Sequence, residues 1–141
     1  MSADNPGNAI SKSSPVAKQA FSRLVIDASG EEAANAYSLN KALAEELLKI
    51  RPRLRSLQME KCLLNVLMQL PEDAVVKDVD VLFNPEYTID VLMVLISAYK
   101  RRPFKLIWPG SCKNGQLIYS EANYPDYKAY DVREYDIICL Y

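Results

Sequence analysis

The sequence contains no histidine, only four glycines and only three cysteines among its 141 residues. Without histidine the chain has no Ser-His-Asp or Cys-His catalytic group, no imidazole zinc ligand and no proton switch near neutral pH. The cysteines Cys62, Cys112 and Cys139 are far apart and odd in number. They form neither a CxxC zinc motif nor a paired disulfide framework, and they are typical of a reducing compartment.

An excess of charge and a long apolar run are also missing. Lysine and arginine number 17 against 18 aspartates and glutamates, which gives a net charge of -1. A protein that binds nucleic acid without sequence preference usually carries a basic excess, so this balance disfavours such a role. No apolar run approaches the ~18 residues that span a membrane, and the N-terminus has no signal-peptide pattern. We therefore expect a cytoplasmic protein with no membrane association.

The distribution of apolar residues predicts one folded domain. Residues 1–15 are rich in serine and proline and are expected to form a disordered tail, whereas residues 16–141 alternate strand-like and helix-like segments. Lys113-Asn114-Gly115 is a strong hairpin-turn signal. We predict an α/β domain with a three-layer sheet and an antiparallel C-terminal edge, in which strands at 23–26, 74–83, 104–108, 116–119 and 135–140 alternate with helices at 40–50, 56–70 and 85–102.

Several stretches of the chain are similar to the signature segments of one known family. They read YSLN at 37–40, AEELL at 44–48, VDVLFNPE at 79–86, IWPG at 107–110, NGQLIYSE at 114–121 and YPDY at 124–127. From about residue 24 to residue 138 the chain resembles the BrxF family, the small P-loop-type component of some BREX phage-defence operons. The resemblance implies a P-loop-NTPase-like domain and a role in prokaryotic antiviral defence.

The chain departs from this family where the nucleotide would bind. A phosphate cradle needs two glycines bracketing four residues, followed by lysine and a hydroxyl residue, and none of the four glycines begins such a motif. At the expected place the chain reads DASGEE at 27–32, and Lys77 stands at the position of the family's magnesium-side aspartate. We expect a degenerate P-loop whose remnant lies near Ser29, Gly30, Asp78 and Asp80, with no catalytic residue, cofactor or metal.

Asp78 and Asp80 leave a second interpretation open. Two carboxylates at the end of a strand can hold a hard cation, as paired carboxylates do in phosphoryl transfer. With Glu121 they would make a two-metal nuclease, although the spacing is unspecific. The alternative is that both are polar residues where a strand meets a loop.

Two basic clusters also allow a functional and a structural interpretation. Positive side chains suffice to contact a phosphate backbone, and the candidates here are Arg51, Arg53, Arg55, Arg101 and Arg102. The alternative is that these cations complement the dipoles of helix ends.

The C-terminus is rich in tyrosine, a residue that suits protein interfaces because it offers a large contact area and a hydrogen-bonding tip. We take Trp108, Tyr124, Tyr127 and Tyr130 as candidate interface residues, with local packing as the alternative. Cys112, beside Lys113, is the only candidate for a reactive cysteine, but without a histidine to activate it a structural role is favoured. Cys62 and Cys139 are expected to be buried and inert.

The sequence therefore favours a non-catalytic binding or scaffold component of a BREX-like defence complex. Its partners would be other defence-system proteins or a second copy of the chain. Two alternatives remain: a nucleotide-binding subunit completed by a partner chain, and an accessory module that contacts DNA through the arginines.

Overall fold

The computed structural model describes residues 23–31 and 35–141, so the predicted tail at 1–15 lies outside the described residues. Three helices in this part of the chain are α1 (Asn40–Leu48), α2 (Arg55–Leu67) and α3 (Val91–Arg101). The strands are β1 (Leu24–Asp27), β2 (Tyr37–Ser38), β3 (Ala74–Lys77), β4 (Phe104–Ile107), β5 (Ser111–Lys113), β6 (Gln116–Tyr119), β7 (Lys128–Asp131) and β8 (Ile137–Leu140).

The main sheet is parallel and has β1 in its interior. Its strand order is β2-β3-β4-β1-β8, and every neighbouring pair runs parallel. Alternate strand residues such as Leu24, Ile26, Val76 and Leu106 are buried in one cluster with the apolar sides of the helices. The short apolar runs of the sequence thus form strands whose core-facing side is fully covered, as is usual for parallel sheets.

The predicted antiparallel edge is only partly correct. Strands β5, β6 and β7 are antiparallel, and the hairpin turn at Asn114-Gly115 forms as predicted, with positive φ at both residues. These strands make a separate three-stranded sheet, however, and the edge strand β8 pairs parallel with β1. The long connection from β4 to β8, which carries the second sheet, gives the chain the length that a parallel crossover needs.

The segment between β3 and α3 also differs from the prediction. The strand ends at Lys77, Asp78 takes a positive φ of 56°, and a 3-10 turn follows at Asp80–Phe83. Helix α3 begins at Val91 instead of near Pro85, because the Asp90 side chain caps it by accepting the N–H of Met93 at 3.2 Å. The alternation of polar and apolar residues at 78–81 therefore leads into a 3-10 turn and does not extend β3.

The Trp108-Pro109-Gly110 segment joins the two sheets. The Trp108 indole N–H donates to the carbonyl oxygen of Ile118 in β6 at 3.0 Å. Gly110 lies against the same carbonyl, where an added Cβ would overlap the Ile118 oxygen. Only glycine fits this close approach of two backbone segments.

We therefore expect Gly110→Ala to destabilise the chain. Overpacking against backbone costs about 1–3 kcal/mol, so the melting temperature should fall by roughly 5–10 °C. The matched control is Gly115→Asn, since Gly115 has nothing within 4 Å of an added Cβ and asparagine tolerates its positive φ. Thermal melts followed by circular dichroism measure both, and equal melting temperatures for Gly110→Ala and the parent would contradict this packing.

Candidate functional site

The carboxyl end of β1 is where the topology of the main sheet would place a ligand site. The chain leaves β1 for β2 at one edge of the sheet, and it leaves the neighbouring β4 for β8 at the other edge. Where the connections leave two adjacent parallel strands in opposite directions, a crevice opens at the carboxyl ends of those strands. Ligands of open α/β sheets bind there. The residues at this point are Asp27 to Glu31.

The loop after β1 uses its polar groups internally. The Asp27 carboxylate accepts the N–H of Ser29 at 3.0 Å, and the Ser29 hydroxyl accepts the N–H of Glu31 at 3.3 Å. The N–H of Ala28 donates to the carbonyl oxygen of Leu140 at 2.6 Å. The hydrogen bonds from Ser29 lower the pKa of Asp27, so the residue directly before the loop carries a negative charge. A carboxylate here repels the phosphate that a cradle would bind.

Asp80, the second acid of the predicted remnant, is the centre of a hydrogen-bond network. Tyr119 of β6 donates its hydroxyl to Asp80 at 2.9 Å, and the Asn40 side-chain amide donates to the other carboxylate oxygen at 3.3 Å. Asn40 also accepts the N–H of Val81 at 3.0 Å. The Tyr119 ring stacks on Phe83, with centroids 3.8 Å apart. Asp80 thereby ties α1 and the 3-10 turn to the second sheet.

The three acidic residues of the nuclease interpretation do not form one carboxylate site. Asp78 lies in the left-handed turn after β3, and Glu121 is exposed in the loop after β6. Within residues 23–31 and 35–141, no group of three or more cysteine, aspartate or glutamate side chains is placed to hold a metal ion. Both oxygens of Asp80 serve as acceptors for neighbouring side chains.

The five candidate arginines fall into two groups. Arg55 donates to the carbonyl oxygens of Leu47 and Ile50 at 2.8 and 3.0 Å, and Arg102 donates to that of Leu70 at 2.7 Å. These two guanidinium groups satisfy carbonyls at helix ends, which is the structural alternative named above. Arg51, Arg53 and Arg101 are exposed, and Arg101 lies 4.0 Å from Glu60.

The four aromatic residues proposed for an interface also fall into two groups, one buried and one more exposed. Trp108 and Tyr130 are only 4% and 8% exposed, and their rings meet edge to face at 6.4 Å, so the structure places both in the core rather than at an interface. Tyr124 is 52% exposed and Tyr127 is half-buried. These two lie in the loop 120–127 between β6 and β7.

Three side-chain pairs of this region were not predicted. They join residues distant in sequence: Tyr119 with Asp80, Tyr135 with Asp90 at 2.8 Å, and Cys112 with Cys139. An aspartate directly before the apolar run 91–96 is a recognisable helix-cap signal, so the capping role of Asp90 could have been found. Nothing in the spacing of the residues indicates the partners across the two sheets.

Comparisons with family models, with curated proteins and with solved structures found no match for this chain. None of the helices in the described part of the chain is long and apolar enough to cross a membrane.

The adjacent arginines at the end of α3 provide a direct test of their separate roles. We expect Arg102→Gln to lower the melting temperature by several degrees, because a half-buried guanidinium that bonds a carbonyl contributes about 1–3 kcal/mol. Arg101→Gln is the matched control and should change it by less than about 1 °C, since exposed ion pairs contribute little. Similar melting temperatures for the two variants would contradict this assignment.

The buried tyrosines predict a loss of stability at high pH. Burial raises the pKa of Tyr119, Tyr130 and Tyr135, to about 12 for Tyr130, and hydrogen bonds to Asp80 and Asp90 raise those of Tyr119 and Tyr135 further. The unfolded chain releases these protons near pH ~10 while the folded chain retains them. The free energy of unfolding should therefore fall above pH ~10, by up to about 1.4 kcal/mol per pH unit for each tyrosine.

Thermal melts between about pH 8 and pH 11.5 measure this slope. Tyr119→Phe removes one of the three groups, so the melting temperature of this variant should fall less steeply with pH than that of the parent. Tyr124→Phe, which removes an exposed hydroxyl, should keep the parent slope. A melting temperature that stays constant up to about pH 11.5 would contradict the raised pKa values of these tyrosines.

Proposed function

We propose that this chain is a non-catalytic binding or scaffold component of a BREX-like prokaryotic defence complex, built on a P-loop-like domain that has no phosphate cradle. The observation that carries the proposal is the loop after β1. It stands at the switch point of the sheet, but its Asp27 carboxylate accepts a hydrogen bond from the loop itself. The resemblance described under sequence analysis supplies the defence role.

The path of the chain beyond β1 supports the loss of nucleotide binding. A phosphate-binding loop leads directly into a helix, whose N-terminus adds favourable dipoles. Here only residues 28–36 separate β1 from β2, and the described residues of that connection form a bend and a turn. A parallel sheet with β1 in its interior is compatible with a P-loop-like origin.

The loop 120–127 is the surface best suited to a partner. Its two ends are held together by the Ser120 hydroxyl, which donates to the Asp126 carboxylate at 2.7 Å. Tyr124 lies between these ends, next to Pro125, and Tyr127 directly follows Asp126, so two aromatic side chains belong to a restrained loop. Restraint lowers the entropy lost on association, and tyrosine is enriched among residues that dominate binding energy.

The two alternatives use other parts of the chain. A partner that completed a nucleotide site would have to place the phosphates beside the Asp27 carboxylate. A DNA-contacting module would keep only Arg51, Arg53 and Arg101, because Arg55 and Arg102 are engaged with helix carbonyls. We therefore favour the scaffold proposal over both alternatives.

Co-purification with the products of the neighbouring genes tests the proposal. We expect Tyr124→Ala combined with Tyr127→Ala to reduce the captured partner at least about tenfold, the effect of a hot spot worth ~1.4 kcal/mol or more. The melting temperature should change by only a few degrees, because Tyr124 is largely exposed. Tyr37→Ala, which truncates a tyrosine that is 41% exposed on β2, is the matched control and should leave capture unchanged.

Three outcomes would contradict the proposal. Unchanged capture by the double variant would remove the loop 120–127 as the binding surface. Calorimetric binding of ATP by the isolated chain would favour the nucleotide-binding alternative. Retention of DNA at physiological salt, lost in Arg51→Gln combined with Arg53→Gln, would favour the DNA-contacting module.

A further inference from the structure

Two of the three cysteines lie side by side although they belong to different sheets. Cys112 is in β5 and Cys139 is in β8, and their Sγ atoms are 3.9 Å apart. Both thiols are free and half-buried, whereas Cys62 is buried in α2. The pair combines direct contact between the sulfurs with partial access from solvent. Cys139 is thus half-buried, which corrects the expectation that it is buried.

We propose that Cys112 and Cys139 form an oxidisable dithiol site, which a low-molecular-weight disulfide such as oxidised glutathione converts into an intramolecular disulfide. The sulfurs of a disulfide are ~2.05 Å apart, so each Sγ must move by about 1 Å, a shift that side-chain rotation supplies. The strand ladders hold the backbone in place meanwhile, since Cys112 is paired with Leu117 and Cys139 with Ile26.

The reaction is two successive thiol–disulfide exchanges. In the first, the Cys112 thiolate attacks one sulfur of the small disulfide, the S–S bond breaks, and one small thiolate leaves with the electron pair. In the second, the Cys139 sulfur gives up its proton to that thiolate and attacks the Cys112 sulfur. The mixed S–S bond breaks, and the second small thiolate leaves with the electron pair and takes up the proton that Cys112 had released. Two cysteine thiols are oxidised and one small disulfide is reduced to two thiols, so atoms and electrons balance.

The environments of the two thiols set the order of these steps. Burial, the contact with Cys112 and the nearby Asp27 together raise the pKa of Cys139 to about 12. Cys139 is therefore a thiol at neutral pH and a poor first nucleophile. Cys112, next to the exposed Lys113 in β5 of the second sheet, makes the first attack, and Cys139 resolves the mixed disulfide.

Oxidation would fasten the second sheet to the edge of the main sheet. The two cysteines are separated by 27 positions in sequence, so the bond closes a loop that is open in the reduced chain. A cross-link of this span restricts the unfolded chain and raises the melting temperature by several degrees. This site is independent of the proposed scaffold role, because it involves neither Tyr124 nor Tyr127.

The test is incubation of the full chain with oxidised glutathione, followed by intact-mass analysis and peptide mapping without reduction. We expect a product that has lost two hydrogens, a Cys112–Cys139 linked peptide, and a melting temperature several degrees higher that returns to the starting value with dithiothreitol. Cys62→Ser is the matched control and should give the same product.

Cys139→Ser should stop the reaction at a mixed disulfide between glutathione and Cys112. Mapping of the parent chain decides the question even where this variant fails to fold. The proposal is overturned by separate glutathione adducts on both cysteines, by disulfide-linked dimers, by a link that includes Cys62, or by a chain that keeps all its thiols.

Discussion

The attachment of the three-stranded sheet to the parallel sheet is the constraint on which the rest of the structure depends. The Trp108 indole reaches the Ile118 carbonyl, and Gly110 permits the two backbones to touch. Because β4 ends just before this contact, the second sheet is fixed at the carboxyl edge of the first. The second sheet thereby reaches the turn after β3, where the Tyr119 hydroxyl of β6 donates to Asp80.

The sequence predicted the α/β class, the buried runs that became β1 and β4, and the hairpin turn at Asn114-Gly115. It misjudged the segment after Lys77, because Val79 and Val81 alternate with Asp78 and Asp80 as in a strand. The buried Phe83 packs against Trp108 and Tyr119, which are distant in sequence. Local periodicity contains no information about such partners, so the turn and the delayed start of α3 could not be derived.

The candidate site was predictable by position but not by role. Ser29, Gly30, Asp78 and Asp80 do lie at the carboxyl ends of β1 and β3, as expected for residues that follow strands. Their chemical function depends on what their oxygens bind, and for Asp80 this is decided by Tyr119 and Asn40. The same limitation affects Arg101 and Arg102, which are neighbours in sequence but differ in whether a carbonyl lies within reach.

Asp80 and Asp90 together show how the acids of this edge serve the fold. They stand at the two ends of the connection between β3 and α3, and each accepts a tyrosine hydroxyl, from Tyr119 and from Tyr135 respectively. Both tyrosines belong to the part of the chain between β4 and β8, so that part clamps the connection at both ends. A carboxylate that accepts hydrogen bonds from fixed neighbours loses freedom to rearrange around a ligand. The edge is therefore organised for rigidity, which suits a surface that presents a fixed shape to partners.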